Sequence, residues 1–276
     1  MKKYAYPRFN GFDFYFFRLG GPGLSNMLFA WAKAKVNVKN TGILLIEPTF
    51  TNLYGLFNDR NYSYLIKDKN SISGIKKLYI LIFKRRLVNY HDIGAVGDFS
   101  ILKHHKSFLT NNLIQLLNSK KRQELLKFES EISIHLRRGD FIESNIDKVD
   151  VNERTHIKWY LELINQINKN FEDKVKISLF SDGTKEEIQE LIGFPNVKLE
   201  SSKNALFDIL RISKSKIIIT SSSSFSLWAC FLQDNKNISI WNKKSYIRKV
   251  DGLNNQFFTV DKLSDKLKDK ISEILH

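Results

Sequence analysis

Six adjacent residues carry the densest chemical potential in the chain: His135, Leu136, Arg137, Arg138, Gly139 and Asp140. They end the alternating segment EISIHL (Glu131–Leu136), a pattern that predicts a buried strand. Guanidinium groups at a strand end suit a phosphate or diphosphate, because the planar fork donates two hydrogen bonds at once and keeps its charge. Arg137 follows Ser133 and His135 on one strand face, which makes it the first candidate for that contact. Arg138 has an alternative duty, a surface salt bridge to Asp140 that would add little stability. Asp140 and Glu143 are the carboxylates just beyond the motif, available to take a proton.

Three further stretches offer related chemistry. In FSDG (Phe180–Gly183), Asp182 can accept hydrogen bonds from a base or ribose, or cap the helix that follows. TSSSSFS (Thr220–Ser226) sets Ser222, Ser223, Ser224 and Phe225 at a helix start, where hydroxyls and unpaired N–H groups form an anion site. Capping alone needs one serine, so a run of four leans towards ligand contact. LGGPGLSN (Leu19–Asn26) places Gly21 and Gly23 just before the helix that contains Asn26, where glycine lets backbone approach a ligand. Its spacing is neither GxGxxG nor a P-loop. With no Asp-x-Asp pair and no His/Cys cluster, a metal-dependent mechanism has little support.

The elements that must position these groups alternate cleanly in the second half. Strands are expected at Ile132–Leu136, Val175–Asp182, Lys216–Thr220 and Asn237–Trp241. Between and after them come helices at Thr155–Phe171, Thr184–Ile192 (with Thr184 as cap), Ala205–Lys214, Ser224–Leu232 and Lys262–Leu275. Such alternation predicts a parallel sheet covered on both faces. In the first half a helix is expected at Leu24–Asn37 and a strand at Gly42–Glu47, while Thr51–Asn118 is aromatic, basic and poorly periodic. The expected fold is α/β, with two Rossmann-like lobes facing across a cleft, residues 1–125 and 126–276. The C-terminal helix could pack back on the first lobe.

Totals narrow the class. The 276 residues are 42% hydrophobic and 26% charged, ordinary globular composition that argues against disorder. A single cysteine, Cys230, allows no intrachain disulfide. MKKYAYPRFN lacks the apolar core of a signal peptide, and no run reaches the roughly 20 apolar residues of a spanning helix, so a cytoplasmic location is expected. The net charge of +15 is compositional or reflects an anionic partner. KKLYILIFKRR (Lys76–Arg86), apolar between basic pairs, reads equally as a peripheral contact with the anionic inner membrane or a partner, or as a short strand with solvated ends. Nucleic acid is not expected, because the charged groups cluster at strand ends without a basic stripe of interleaved aromatics.

Taken together, the motifs resemble the α1,2-fucosyltransferase family (glycosyltransferase family 11). HLRRGD is similar to its His-x-Arg-Arg-Gly-Asp, FSDG to Phe-Ser-Asp-Asp, and ITSSSSFSLWACFL (Ile219–Leu232) to Ser-Ser-Phe-Ser-Trp-Trp. LGGPGLSNMLFAWA (Leu19–Ala32) is similar to the N-terminal Gly-Gly-Leu-Gly-Asn-Gln-Met-Phe-Gln-Tyr-Ala. The resemblance implies a GT-B-type fold, GDP-fucose as donor, a glycan acceptor, inversion at the sugar carbon and no required metal or other cofactor. It implies that residues 1–125 are the acceptor side and 126–276 the GDP-sugar side. Arg137 would hold the β-phosphate with His135 beside it, and Arg138 would lie at the same donor site. The serines 222–224 and Phe225 would cradle the diphosphate, Asp182 would lie near guanine or ribose, and Gly21, Gly23 and Asn26 would line the opposite side. Departures are the inserted Pro22, Met27 for Gln, Gly183 for the second aspartate and Leu227 for the first tryptophan.

Overall fold

The computed structural model describes residues 3–8, 12–19, 23–46, 74–83, 87–91, 98–139, 155–171, 174–200, 204–221, 223–242, 253 and 256–275. The chain divides into two compact units, Met1–Arg122 and Gln123–His276.

In the first unit, β1 (Tyr4–Arg8) is the middle strand of a three-stranded parallel sheet, between β4 (Leu44–Leu45) and β5 (Leu87–His91). Period-2 alternation along β1 sends its side chains to two faces. Ala5 packs with Ala34 of α1 (Leu24–Val38), whereas Tyr4 and Tyr6 pack with Ile80 of α2 (Gly74–Phe83). One helix therefore covers each face of the sheet. α1 buries residues all round, from Met27 to Trp31 and on to Ala34, as its near-continuous apolar sequence requires. A hairpin, β2 (Phe12–Asp13) and β3 (Arg18–Leu19), follows β1.

Of KKLYILIFKRR, Lys76–Phe83 belong to helix α2 and not to a strand, with Lys77 and Ile80, three apart, turned inward together; Lys84–Arg86 lie outside the described residues. Within Thr51–Asn118 the structure also places a 3-10 turn at Lys103–His105 and α3 (Lys106–Leu116), then α4 (Ser119–Lys127).

The second unit is a six-stranded sheet with every described pairing parallel. Its strands are β6 (Ile132–Leu136), β7 (Ile177–Ser181), β8 (Val197–Glu200), β9 (Ile217–Thr220), β10 (Ile238–Asn242) and β11 (Gln256–Val260). Their spatial order is β11-β10-β9-β6-β7-β8. The helices are α5 (Ile157–Phe171), α6 (Lys185–Ile192), α7 (Ala205–Ser213), α8 (Ser224–Leu232) and α9 (Asp265–Leu275). This is the α/β class expected from the alternation.

The two sheet faces differ in chemistry. Ile132, Ile134, Ile177, Leu179, Ile217 and Ile219 share one face and pack under α5, α6 and α9. The other face carries Ser133, His135, Ser178, Phe180 and Thr220. Its polar groups are met by residues of and beside α7 and α8: Ser133 bonds Ser215 at 2.6 Å, and Ser239 donates to Gln233 at 3.0 Å. α9, for which packing on the first lobe was an open expectation, buries Leu267 and Ile271 in this unit's own core.

Thr184 caps α6 as its sequence predicts, and does so reciprocally. Its hydroxyl accepts from the Glu187 N–H at 3.4 Å, while the Glu187 carboxylate accepts from the Thr184 N–H at 2.9 Å. Thr184→Ala is expected to lower unfolding free energy by about 1 kcal/mol in urea titration. An unchanged midpoint would show that the box contributes nothing.

Candidate functional site

The strand order reverses at β6: the chain runs from β6 out through β7 and β8, then returns to β9 on the other side. In open α/β sheets that switch point opens a crevice beyond the carboxyl ends of the strands. The loops after β6 and β9 flank it here, and they are the loops with the arginines and the serine run.

The register of β6 and β7 pairs Leu136 with Ser181, so the next residues, Arg137 and Asp182, emerge side by side. The Arg137 guanidinium forms a salt bridge with the Asp182 carboxylate through Nη1 and Oδ2. The other carboxylate oxygen accepts the Arg138 backbone N–H at 2.7 Å. Asp182 thus ties down the loop after β6; capping of α6 falls to Thr184 instead. Both side chains of the ion pair stay about one-third exposed, 30% for Arg137 and 34% for Asp182. A ligand can therefore reach the pair.

Arg138 points the other way. Its side chain is buried, and its Nε has no hydrogen-bond partner among the described residues. Two glycines make the crowding possible. A Cβ on Gly139 would run into the Asp182 carboxylate, and one on Gly183 would stand 2.9 Å from the Arg138 Cγ and 3.1 Å from a Glu187 oxygen. That crowding is a physical reason for Gly183 where the resembling family has an aspartate.

His135 is enclosed by the serine segment. Its Nδ1 lies 2.6 Å from the Ser226 hydroxyl and 3.2 Å from that of Ser221, and its ring stacks on Phe225 with centroids 4.6 Å apart. Ser223 caps α8, its hydroxyl accepting from the Ser226 N–H at 3.2 Å, and Ser224 begins the helix. So the serines divide their work: one caps the helix, and Ser221 and Ser226 hold the histidine. Both lie within TSSSSFS, but as candidates for ligand contact or capping and not as partners of His135. A signal was nevertheless present, since a buried strand with Ser133 and His135 on one face must find polar partners for both.

Burial drives the His135 pKa down to about 3; Asp182 opposes the shift and Arg137 adds to it. The ring is thus neutral at ordinary pH and serves as a hydrogen-bonding and stacking element. The unfolded chain binds a proton near the usual 6.5 that the folded protein refuses. This contribution to stability is complete above that pH and falls as pH drops towards 3, by up to about 1.4 kcal/mol per unit. Thermal melts of His135→Gln between these limits are expected to show a shallower acid slope than the parent. Parallel slopes would contradict a neutral buried ring.

Gly23 and Asn26 belong to the other unit. Gly23 is the N-cap of α1, where an added Cβ would meet no atom within 4 Å, and the Asn26 Oδ1 is buried with no hydrogen-bond partner among the described residues. Gly21, Asp140, Glu143 and Ser222 lie outside the described residues. Among the described residues, no group of three His, Cys, Asp or Glu converges as metal ligands.

The strand order, the helices on both faces and the cation at the switch point make Gln123–His276 a doubly wound, Rossmann-like unit. The chain belongs to glycosyl transferase family 11, whose profile matches residues 98–257, a span that includes the whole β6–β9 site. Two α/β units on parallel sheets agree with the GT-B type expected of that resemblance. A relative, the alpha-1,2-colitosyltransferase of Escherichia coli, is 25% identical over 122 residues, covering 43% of this chain and 41% of that protein. The chain thus matches about two-fifths of that relative's length. Similar solved structures include the fucosyltransferase NodZ from Bradyrhizobium (14% identity, 84% of this chain and 94% of that one, TM-score 0.38). Another is the E. coli heptosyltransferase WaaC with ADP (11% identity, 100% and 99%, TM-score 0.48).

Proposed function

We propose that the protein is an inverting fucosyltransferase that moves L-fucose from GDP-fucose to a glycan hydroxyl without a metal. The acceptor position we assign is O-2 of a terminal β-galactose or N-acetylgalactosamine, in bacterial surface-polysaccharide synthesis. The observation that carries the reading is Arg137, oriented by Asp182 at the switch point of a family 11 sheet. The α1,2 linkage in the relative's name supports O-2.

In the reaction, the acceptor oxygen would form a bond to the sugar's anomeric carbon as the bond from that carbon to the β-phosphate oxygen breaks. The electron pair leaves with GDP. Arg137 and the N-terminus of α8 would stabilise the negative charge growing on the diphosphate, the largest single contribution in catalysis of this kind. The acceptor proton must go to a base within hydrogen-bonding reach, and Asp140 or Glu143 is assigned that part. The neutral His135 would position Ser226 and Phe225 beside the diphosphate.

A second reading, the same α1,2 transfer with a different sugar, is favoured by the colitose in the relative's name. GDP release measured across a panel of nucleotide sugars and simple galactosides, followed by linkage analysis of the product, separates the two. Turnover with no GDP-sugar would sink both.

A further inference from the structure

Helix α2 has a face that the fold leaves open. Lys77 and Ile80 turn inward, but Ile75, Leu78, Tyr79, Ile82 and Phe83 are exposed. Their spacing of three and four residues forms a continuous apolar stripe on the outward face. Ile75 is 88% exposed, Ile82 61% and Phe83 66%, far beyond the scattered apolar residues of an ordinary surface.

The neighbouring hairpin does the same. Tyr15 adopts a left-handed φ of 69°, a rare conformation for a bulky residue, and its ring packs on Tyr6. Asp13 is drawn inward, accepting from the Tyr6 hydroxyl at 2.9 Å and the Tyr15 N–H at 2.8 Å. Phe14, Phe16 and Phe17 are left exposed around that turn. Lys77 joins the two elements, with its ammonium 5.3 Å from the Tyr6 ring centre and 5.4 Å from that of Phe16. Strain held at a turn whose effect is to expose aromatic rings points to a use for them.

Charge indicates what covers this surface. Residues 1–122 contain 20 Lys and Arg against six Asp and Glu, whereas residues 123–276 contain 24 against 23. Nearly all of the +15 therefore belongs to the unit that exposes the apolar stripe. Lys76 lies within α2, and Lys84, Arg85 and Arg86 follow it directly in sequence. An exposed apolar stripe with aromatic residues and basic flanks is the composition of a helix lying in a lipid interface. A second copy of the chain would bring the same strong positive charge to the contact, which repulsion opposes.

We propose that Met1–Arg122 docks on an anionic lipid surface, with the outward face of α2 and the Phe14–Phe17 turn seated at the headgroup boundary. The attraction is electrostatic at long range and apolar at contact. Docking of this kind is independent of which sugar the protein transfers.

The test is flotation of the full chain with vesicles of phosphatidylcholine, with and without phosphatidylglycerol, at low and high salt. Binding is expected only with phosphatidylglycerol, weakening as salt screens the charge. The double substitution Ile82→Glu with Phe83→Glu should weaken it at least about tenfold, through lost apolar contact and added repulsion, with an unchanged melting temperature. Ile75→Glu repeats the test at a position with almost no packing to lose. Absence of flotation, equal flotation on both vesicle types, or variants that float like the parent would overturn the proposal. So would a parent dimer that the same substitutions dissociate, or binding to an acidic protein in preference to vesicles.

Discussion

Arg137→Ala is expected to lower turnover by about 10²–10³-fold, the loss typical of removing one preorganised donor from a developing negative charge. The substitution should leave the fold nearly intact. Arg137 and Asp182 form a partly exposed ion pair, and such pairs contribute at most about 1 kcal/mol. The two readouts therefore separate: activity collapses while the melting temperature holds. Arg137→Lys should recover only part of the rate, because an ammonium keeps the charge but loses the planar fork. Near-normal GDP release from Arg137→Ala would remove this residue from the mechanism.

Arg211→Ala should have the largest effect on stability, about 3–5 kcal/mol, because it breaks a buried ion cluster by removing the cation alone. Its guanidinium donates to Glu200 at 2.7 Å and to Asp208 at 2.6 Å. Phe128, Phe180 and Phe207 surround it, their ring centres 4.8–5.3 Å from the guanidinium carbon. Without the arginine, two largely buried carboxylates lose their shared cation, although Lys198 still reaches Glu200 at 2.9 Å. The group also lines a cavity of about 620 Å³ near the start of β7 and β8, where water could enter the vacated space. Urea unfolding gives the number. A loss below about 1 kcal/mol would mean that the cluster behaves like a solvated surface pair.

The regularity of the second half was legible because β-branched strands alternate there with amphipathic helices, and each period is set by local geometry. β8 and β11 carry a weaker signal in the sequence. VKLE exposes Lys198 and Leu199 at the sheet edge, so its pattern lacks the continuous apolar run of a central strand. In the first unit YAYPR, interrupted by Pro7, conceals the middle strand of the sheet. KKLYILIFKRR was ambiguous because a short apolar run suits strand and helix alike until its packing partners are known. Tyr4, Tyr6 and Ile46, which receive Ile80, supply those partners.

By itself the sequence determined the α/β class, the strand ends that carry charge, and Arg137 as the leading candidate at one of them. It also placed 20 of the 44 basic residues with only six acids in the first 122 positions. Tertiary structure alone decided that Arg137 meets Asp182, 45 residues away, while the adjacent Arg138 is buried. It also decided that His135 is held neutral between Ser221, Ser226 and Phe225. The physical reason is that a side chain's direction follows from local backbone geometry, whereas its partner depends on which strands become neighbours and in what register. Here the pairing of Leu136 with Ser181 brings the arginine and the aspartate together.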